Sequence, residues 1–403
     1  MASRLRALDG LRGLLALYIL AGHSLPLLWP VPGMGWFSAL ASHGRAAVDL
    51  FFCLSGLVIL HSVRAEGMAG PSGARRFLGL RAGRLLPVYA LALGVAVVSL
   101  AAGNPYPLMP WLAVAAPQAQ LAVHVILAPG WPADAWAHLG AHLIMVQGLL
   151  PSGLLPDAEY AILGPAWSLS TEWQFYALIA LLLAGKPALL RPAGRSSGVA
   201  GLLLLLGLIG LALPLLPAPW HFGRAFLPRE AWYFALGMAS APLLEEQTAT
   251  KAALAGYGLV LGAALALSFI AGGGPAMLVP LAWSLCILAQ RRGALPFRVI
   301  GFVLTRPWLR HCGAISYPLY LLHVPVQRLL MLALAPLAQG SWPLFSLLWG
   351  PLAFALPLGL AALTHRYLEE PARRWSRDYL AKPRRMPLSP CAAGSNTSAV
   401  GRP

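Results

Sequence analysis

Ten apolar windows of spanning length divide this chain, at about 8–29, 45–63, 85–102, 167–184, 198–217, 231–244, 253–271, 275–290, 312–334 and 344–367, each bounded by proline, glycine or charge. Backbone in hydrocarbon must satisfy its own hydrogen bonds, so such windows become helices that cross a bilayer. With 58% hydrophobic and only 10% charged residues, and a mean hydropathy of +0.69, the chain lacks the polar surface of a soluble globule. The expected fold class is all-α, a polytopic transmembrane bundle of about ten spans with both termini cytoplasmic. Two weaker windows, 111–128 and 135–150, carry Gln118, Gln120, His124, His138, His142 and Gln147. They either cross as a further pair, making twelve spans, or form a re-entrant or interfacial excursion.

The formal charge of +16 is not a nucleic-acid signal, because the basic residues fall in short clusters between the apolar runs. Arg4 and Arg6, the 64–84 loop, 186–195, 291–310 and 373–385 all land on one face of an even-span bundle whose N-terminus is inside. Arg224 and Arg229 fall on the other face. The first apolar run lacks a cleavage pattern and reads as a retained span. Cys53, Cys286, Cys312 and Cys391 show no paired spacing that would suggest a disulfide framework. The expected organisation is a transmembrane domain over 1–380 and a disordered cytoplasmic tail over 381–403, rich in Pro, Ser, Gly and Ala. The sequon Asn396-Thr397-Ser398 is a chance match in such a tail.

The stretch from Asp9 to His23, DGLRGLLALYILAGH, places Arg12 and His23 eleven residues apart. Eleven helical residues rise about 16 Å and turn to within about 20° of three full turns, so both side chains share one face. Ionisable groups on a very apolar helix read as functional. Arg12, Arg75, Arg76, Arg81 and Arg84 form a cytoplasmic group suited to a phosphorylated ligand, since guanidinium binds phosphate through paired donors. Ordinary loop charge is the plainer reading, although Arg81 and Arg84 share a helical face that runs on into LLPVY.

A second group, His23, Asp49, Glu172 and His323, lies deeper. A carboxylate beside an imidazole would make a general base, a proton relay of a transporter would use the same residue types, and so would structural polar contacts between helices. His138 and His142 have i, i+4 spacing but no third ligand, so no metal site is expected and an interfacial stretch is favoured. Ser55-Gly56, without a nucleophile-elbow motif around it, reads as a pair of small residues allowing close helix approach.

Six blocks in the chain resemble the acyltransferase-3 family of integral-membrane O-acyltransferases. They are LDGLRGLLALYILAGH at the front, VDLFFCLSGLVI from Val48, RRFLGLRAGRLLPVY from Arg75, WSLSTEWQFY from Trp167, ISYPLYLLH from Ile315 and HRYLEEPARR from His365. Leu57 stands where the family commonly has Phe after Ser-Gly. The resemblance implies a multi-pass protein of a bacterial inner membrane that moves an acyl group, usually acetyl, from cytoplasmic acyl-CoA to a hydroxyl of a glycan or other acceptor. It implies that Arg12, Arg75, Arg76, Arg81 and Arg84 hold the donor's phosphates. His23 would be general base or acyl carrier with Asp49 or Glu172 orienting it, and Tyr176, Tyr320 and His323 would line the substrate cavity. Some relatives carry a fused extracytoplasmic esterase-like domain; here the membrane domain is expected to act alone or with a separate partner protein. The competing class is a proton-coupled transporter or exporter, against which stands the lack of inverted repeats of broken helices. A structural membrane scaffold is a third.

Overall fold

The computed structural model describes residues 2–28, 44–114, 131–190, 196–245, 250–290 and 295–381. Most of the weak window at 111–128, with Gln118, Gln120 and His124, lies outside the described residues, as do the sequon and nearly all of the 381–403 tail.

The described chain is helical, without a β-strand beyond one isolated bridge between Pro151 and Phe222. In chain order the helices are α1 (Ala2–Leu28), α2 (Gly44–Ala65), α3 (Gly70–Ala101), α4 (Ala135–Leu143), α5 (Trp167–Gly185), α6 (Ser196–Ala212), α7 (Ala231–Ala239), α8 (Ala241–Glu245), α9 (Lys251–Ala276), α10 (Leu278–Ala289), α11 (Leu295–Leu304), α12 (Pro307–Ala314), α13 (Ser316–Leu337), α14 (Trp342–Thr364) and α15 (Glu370–Ala381). A π turn, His365–Glu369, joins the last two into one continuous rod.

Six described helical stretches are long and apolar enough to cross a membrane: 44–65, 70–101, 198–215, 251–276, 316–337 and 342–380. The windows at 231–244 and 275–290 fold as shorter apolar helices, and those at 8–29 and 167–184 lie in the long helices α1 and α5. The 135–150 window holds the nine-residue α4, about 14 Å long, which is too short to cross.

Two backbone seams set the packing around the site. Gly13 of α1 lies against the Leu309 carbonyl of α12, and Gly313 of α12 lies against the Asp9 carbonyl of α1. Gly56 of α2 meets the Phe234 carbonyl of α7, and Gly237 of α7 meets the Cys53 carbonyl of α2. Each is a reciprocal pair in which a Cβ would overlap backbone. This is how helices associate when lipid offers no hydrophobic driving force between them. The Ser55-Gly56 reading holds for the glycine. Around the seams a single large core runs from Leu8 and Leu11 through Phe52, Phe77, Phe175, Phe234 and Trp283.

Candidate functional site

The cavity at the centre of the bundle is walled by five helices, each presenting one stripe. α5 contributes Ser168, Glu172 and Tyr176, spaced i, i+4, i+8 so that they stack on one face. The opposite face of the same segment clasps the loop after α6: Thr171 Oγ1 and Gln174 Nε2 both donate to the Ala225 carbonyl, at 3.0 and 2.7 Å, and Gln174 Oε1 accepts the Leu227 N–H at 2.9 Å. The WSLSTEWQFY block thus builds a cavity wall with one side and anchors a loop with the other. α2 adds Val48, Phe52, Ser55 and Ile59, α3 adds Arg81 and Arg84, α1 adds Arg12, and α13 adds Ser316, Tyr317 and Tyr320. The space enclosed is about 110 Å3.

Glu172 is the one carboxylate lining this cavity among the described residues. Its Oε1 accepts from both the Ser55 hydroxyl and the Tyr176 phenol, each at 2.5 Å. Around it converge three guanidinium groups. Arg12 donates to Ser316 Oγ at 3.2 Å. Arg81 donates from Nη2 to Ser62 Oγ at 3.0 Å, and its planar head lies 5.5 Å from the Phe77 ring centre and 5.8 Å from that of Tyr176. Its Nε is buried without an acceptor. Arg84 lies 3.8 Å from Glu369, which the π turn brings inward and which also pairs with His365 at 2.8 Å. A buried donor with no acceptor, beside two further arginines, is a place for an anion's oxygen atoms.

The stripe on α1 is received at both ends by one helix, α13. Arg12 meets Ser316, and His23 Nδ1 lies 2.7 Å from His323 Nε2, with the rings within 9° of parallel. The tautomers follow from the partners. His323 Nδ1 sits 3.1 Å from the Leu319 carbonyl, which can only accept, so that nitrogen carries hydrogen. His323 Nε2 is therefore an acceptor, His23 Nδ1 donates to it, and the lone pair of His23 is on Nε2. This pair stands one turn of α13 beyond Tyr320, whose hydroxyl is 2.9 Å from Ser168 Oγ and whose ring centre is 6.1 Å from that of His323.

The residues singled out from the sequence therefore divide. Arg12, Arg81, Arg84, Glu172, Tyr176 and Tyr320 meet in one cavity, and His23 with His323 forms a pair next to it. Arg75 is exposed, and Arg76 pairs with Glu66 at 3.0 Å on the surface, so neither reaches the cavity. Asp49 does not orient His23. It is buried against Arg224, at 2.8 Å, and Arg224 also donates to Glu230 at 2.5 Å while lying 5.1 Å from the Trp167 ring centre. The arginine that charge counting left on the wrong face is thus the counter-ion of two buried carboxylates. His138 and His142 are buried in α4, with His142 Nδ1 bonded to the His138 carbonyl at 3.0 Å, and no cluster of three or more metal-ligating side chains occurs among the described residues. Sequence reasoning missed Ser55, Ser168, Ser316 and Tyr317 as cavity residues; the i, i+4 spacing of Ser168 with Glu172 and of Ser316 with Tyr320 was the available signal.

The fold and the site together define a polytopic helical membrane protein whose interior holds a cationic cavity around a carboxylate. The family described as an acyltransferase domain matches residues 5–366, and the chain belongs to this acyltransferase-3 family of membrane acyltransferases. Two relatives show the same kinship. A protein of Komagataeibacter xylinus named "Putative membrane-bound transacylase BcsY" is 30% identical over 334 residues, 80% of this chain and 73% of that one. "Protein 2 in picA locus" of Rhizobium radiobacter is 30% identical over 173 residues, 41% of this chain and 75% of its own length. No solved structure matches.

Proposed function

We propose that this membrane acyltransferase takes its acyl group, acetyl in the simplest case, from cytoplasmic acyl-CoA and passes it to a hydroxyl of a glycan or another acceptor at the bacterial inner membrane. The observation that carries this reading is the convergence of Arg12, Arg81 and Arg84 on one cavity whose lining carboxylate, Glu172, is already engaged by two hydroxyl groups. Three guanidinium groups face only two carboxylates here, Glu172 and Glu369, and the phosphates of CoA would supply the further anion that offsets their desolvation. In this reading the arginines face the cytoplasm and the acyl-bearing arm enters the cavity beside Glu172 and Tyr320.

His23 is the base of the second half of the reaction. With Nδ1–H held by His323, its Nε2 lone pair takes the proton of the acceptor hydroxyl as that oxygen attacks the acyl carbonyl carbon. The relative whose name reads "Putative membrane-bound transacylase BcsY" supports the reading of acyl transfer.

The test uses the purified protein in nanodiscs with radiolabelled acetyl-CoA, comparing binding and turnover in the wild type, His23→Ala and Arg84→Ala. Binding by the wild type, weakened by Arg84→Ala, with His23→Ala binding but not turning over, is the expected result. If no variant binds acyl-CoA, the donor assignment falls and a proton-coupled transporter is the reading to pursue.

A further inference from the structure

We propose that Ser55 carries the acyl group as an oxygen ester between donor and acceptor, with Glu172 as its base; this rests on the acyl-CoA reading above. Hydroxyl groups inside apolar helices ordinarily turn back on their own helix and bond the carbonyl four residues earlier. That is what Ser24 does with Leu20 at 2.7 Å and Ser284 with Pro280 at 2.7 Å. Ser55 does otherwise. In the middle of α2 it sends its proton across to α5, to Glu172 Oε1 at 2.5 Å, and it does so on the wall of the cavity.

Its surroundings hold that geometry. The next residue, Gly56, lies directly against the Phe234 carbonyl, so α2 cannot slide or rotate at this point. Glu172 is held in turn by the Tyr176 hydroxyl, which donates to the same oxygen. Nucleophile, base and a group orienting the base stand in sequence, as they must where a serine of ordinary reactivity is to attack a carbonyl. The arginines that would hold the anionic part of the donor line the same cavity.

The chemistry balances without further reagents. The Ser55 oxygen attacks the thioester carbonyl carbon as its proton passes to Glu172. The carbon–sulfur bond then breaks, and the leaving thiolate takes that proton to depart as CoA thiol. An acceptor hydroxyl attacks the resulting serine ester, its proton returns to the Ser55 oxygen by way of His23, and the acylated acceptor leaves with the enzyme restored.

The experiment incubates the full-length protein in nanodiscs with radiolabelled acetyl-CoA and no acceptor, quenches in acid, and reads protein-bound label and its position by peptide mass spectrometry. Equilibrium binding of acetyl-CoA is measured alongside. The expected result is up to one acetyl per chain on the peptide holding Ser55, no label in Ser55→Ala, and slower labelling in Glu172→Gln, with binding changed less than threefold in both. Ser55→Cys, which keeps a nucleophile of similar size, retains label as a thioester. Wild-type labelling of a well-folded Ser55→Ala, or label on His23 or Tyr176 instead, overturns the proposal while leaving the donor reading intact. Failure of the wild type to bind acetyl-CoA overturns both.

Discussion

His23 and His323 come from helices 300 residues apart in sequence, yet they share one hydrogen bond of 2.7 Å, and the Leu319 carbonyl behind His323 decides which of them donates. His323 is thereby a positioning residue for His23. Replacing it with alanine frees the His23 ring to change tautomer and leaves its Nδ1–H without a partner. The expected outcome is a fall in kcat of roughly a hundredfold, with acetyl-CoA affinity unchanged and a pH–rate profile displaced from that of the wild type. A merely structural role would lower the amount of folded protein and leave the profile of the remainder alone.

The arginines of α3 give a second, sharper comparison. Arg81 faces the cavity with a free buried donor, whereas Arg75 on the same helix is exposed. A charge-assisted hydrogen bond contributes about 1.5–3 kcal/mol, so Arg81→Ala should weaken acetyl-CoA binding about tenfold or more. Arg75→Ala should leave it within twofold. Isothermal titration in nanodiscs separates the two, and equal losses would mean that the whole loop, rather than the cavity, attracts the ligand.

Arg224 sits between two buried carboxylates, Asp49 and Glu230. Removing it strands both charges, and breaking a buried pair from one side costs about 3–5 kcal/mol. Arg224→Ala is therefore expected to destabilise more than Asp49→Asn, which keeps a hydrogen-bonding oxygen opposite Arg224. Thermal unfolding midpoints in detergent check the order, and a reversal would show that Asp49 has a task beyond this contact.

Glu159, outside the spanning helices, accepts the Ala225 N–H at 2.7 Å and so steadies the loop that carries Arg224. Burial holds its carboxyl above the usual 4.5, although the Ala225 hydrogen bond pulls the other way. A raised carboxyl in the folded state means that folding favours the bound proton. Its contribution is fully present below about pH 4.5 and is lost as pH climbs through the folded value. The wild type should therefore lose stability over that interval more steeply than Glu159→Gln, in which nothing titrates. Parallel midpoint curves for the two proteins would refute the assignment.

Much of this site is legible in the sequence. The eleven-residue spacing of Arg12 and His23 places them on one face, and α13 does receive both. Helical period alone suffices for that, since it fixes directions along a single element. What period cannot supply is the partner on another helix. His323 as the partner of His23, and Arg224 as that of Asp49, depend on how helices cross, and a carboxylate near an imidazole is the more familiar pairing to expect. The arginines divide for a similar reason. Arg75 to Arg84 read as one basic block, but α3 spreads those ten residues over two and a half turns, so only Arg81 and Arg84 of that block face inward. Helix length is the other thing that period leaves open: the windows at 231–244 and 275–290 are apolar enough yet fold as short helices.

The two glycine seams bear on how anything enters. Where backbones touch with no side chain between them, as Gly13 with Leu309 and Gly56 with Phe234 do, neither partner can slip without parting the contact altogether. α1 with α12, and α2 with α7, therefore behave as two fixed posts. The other contacts at the cavity are made between side chains, Arg81 with Ser62, Arg84 with Glu369 and Ser168 with Tyr320. Rotamer changes in these side chains can reshape the cavity without parting either seam, at the speed of side chains rather than of helices.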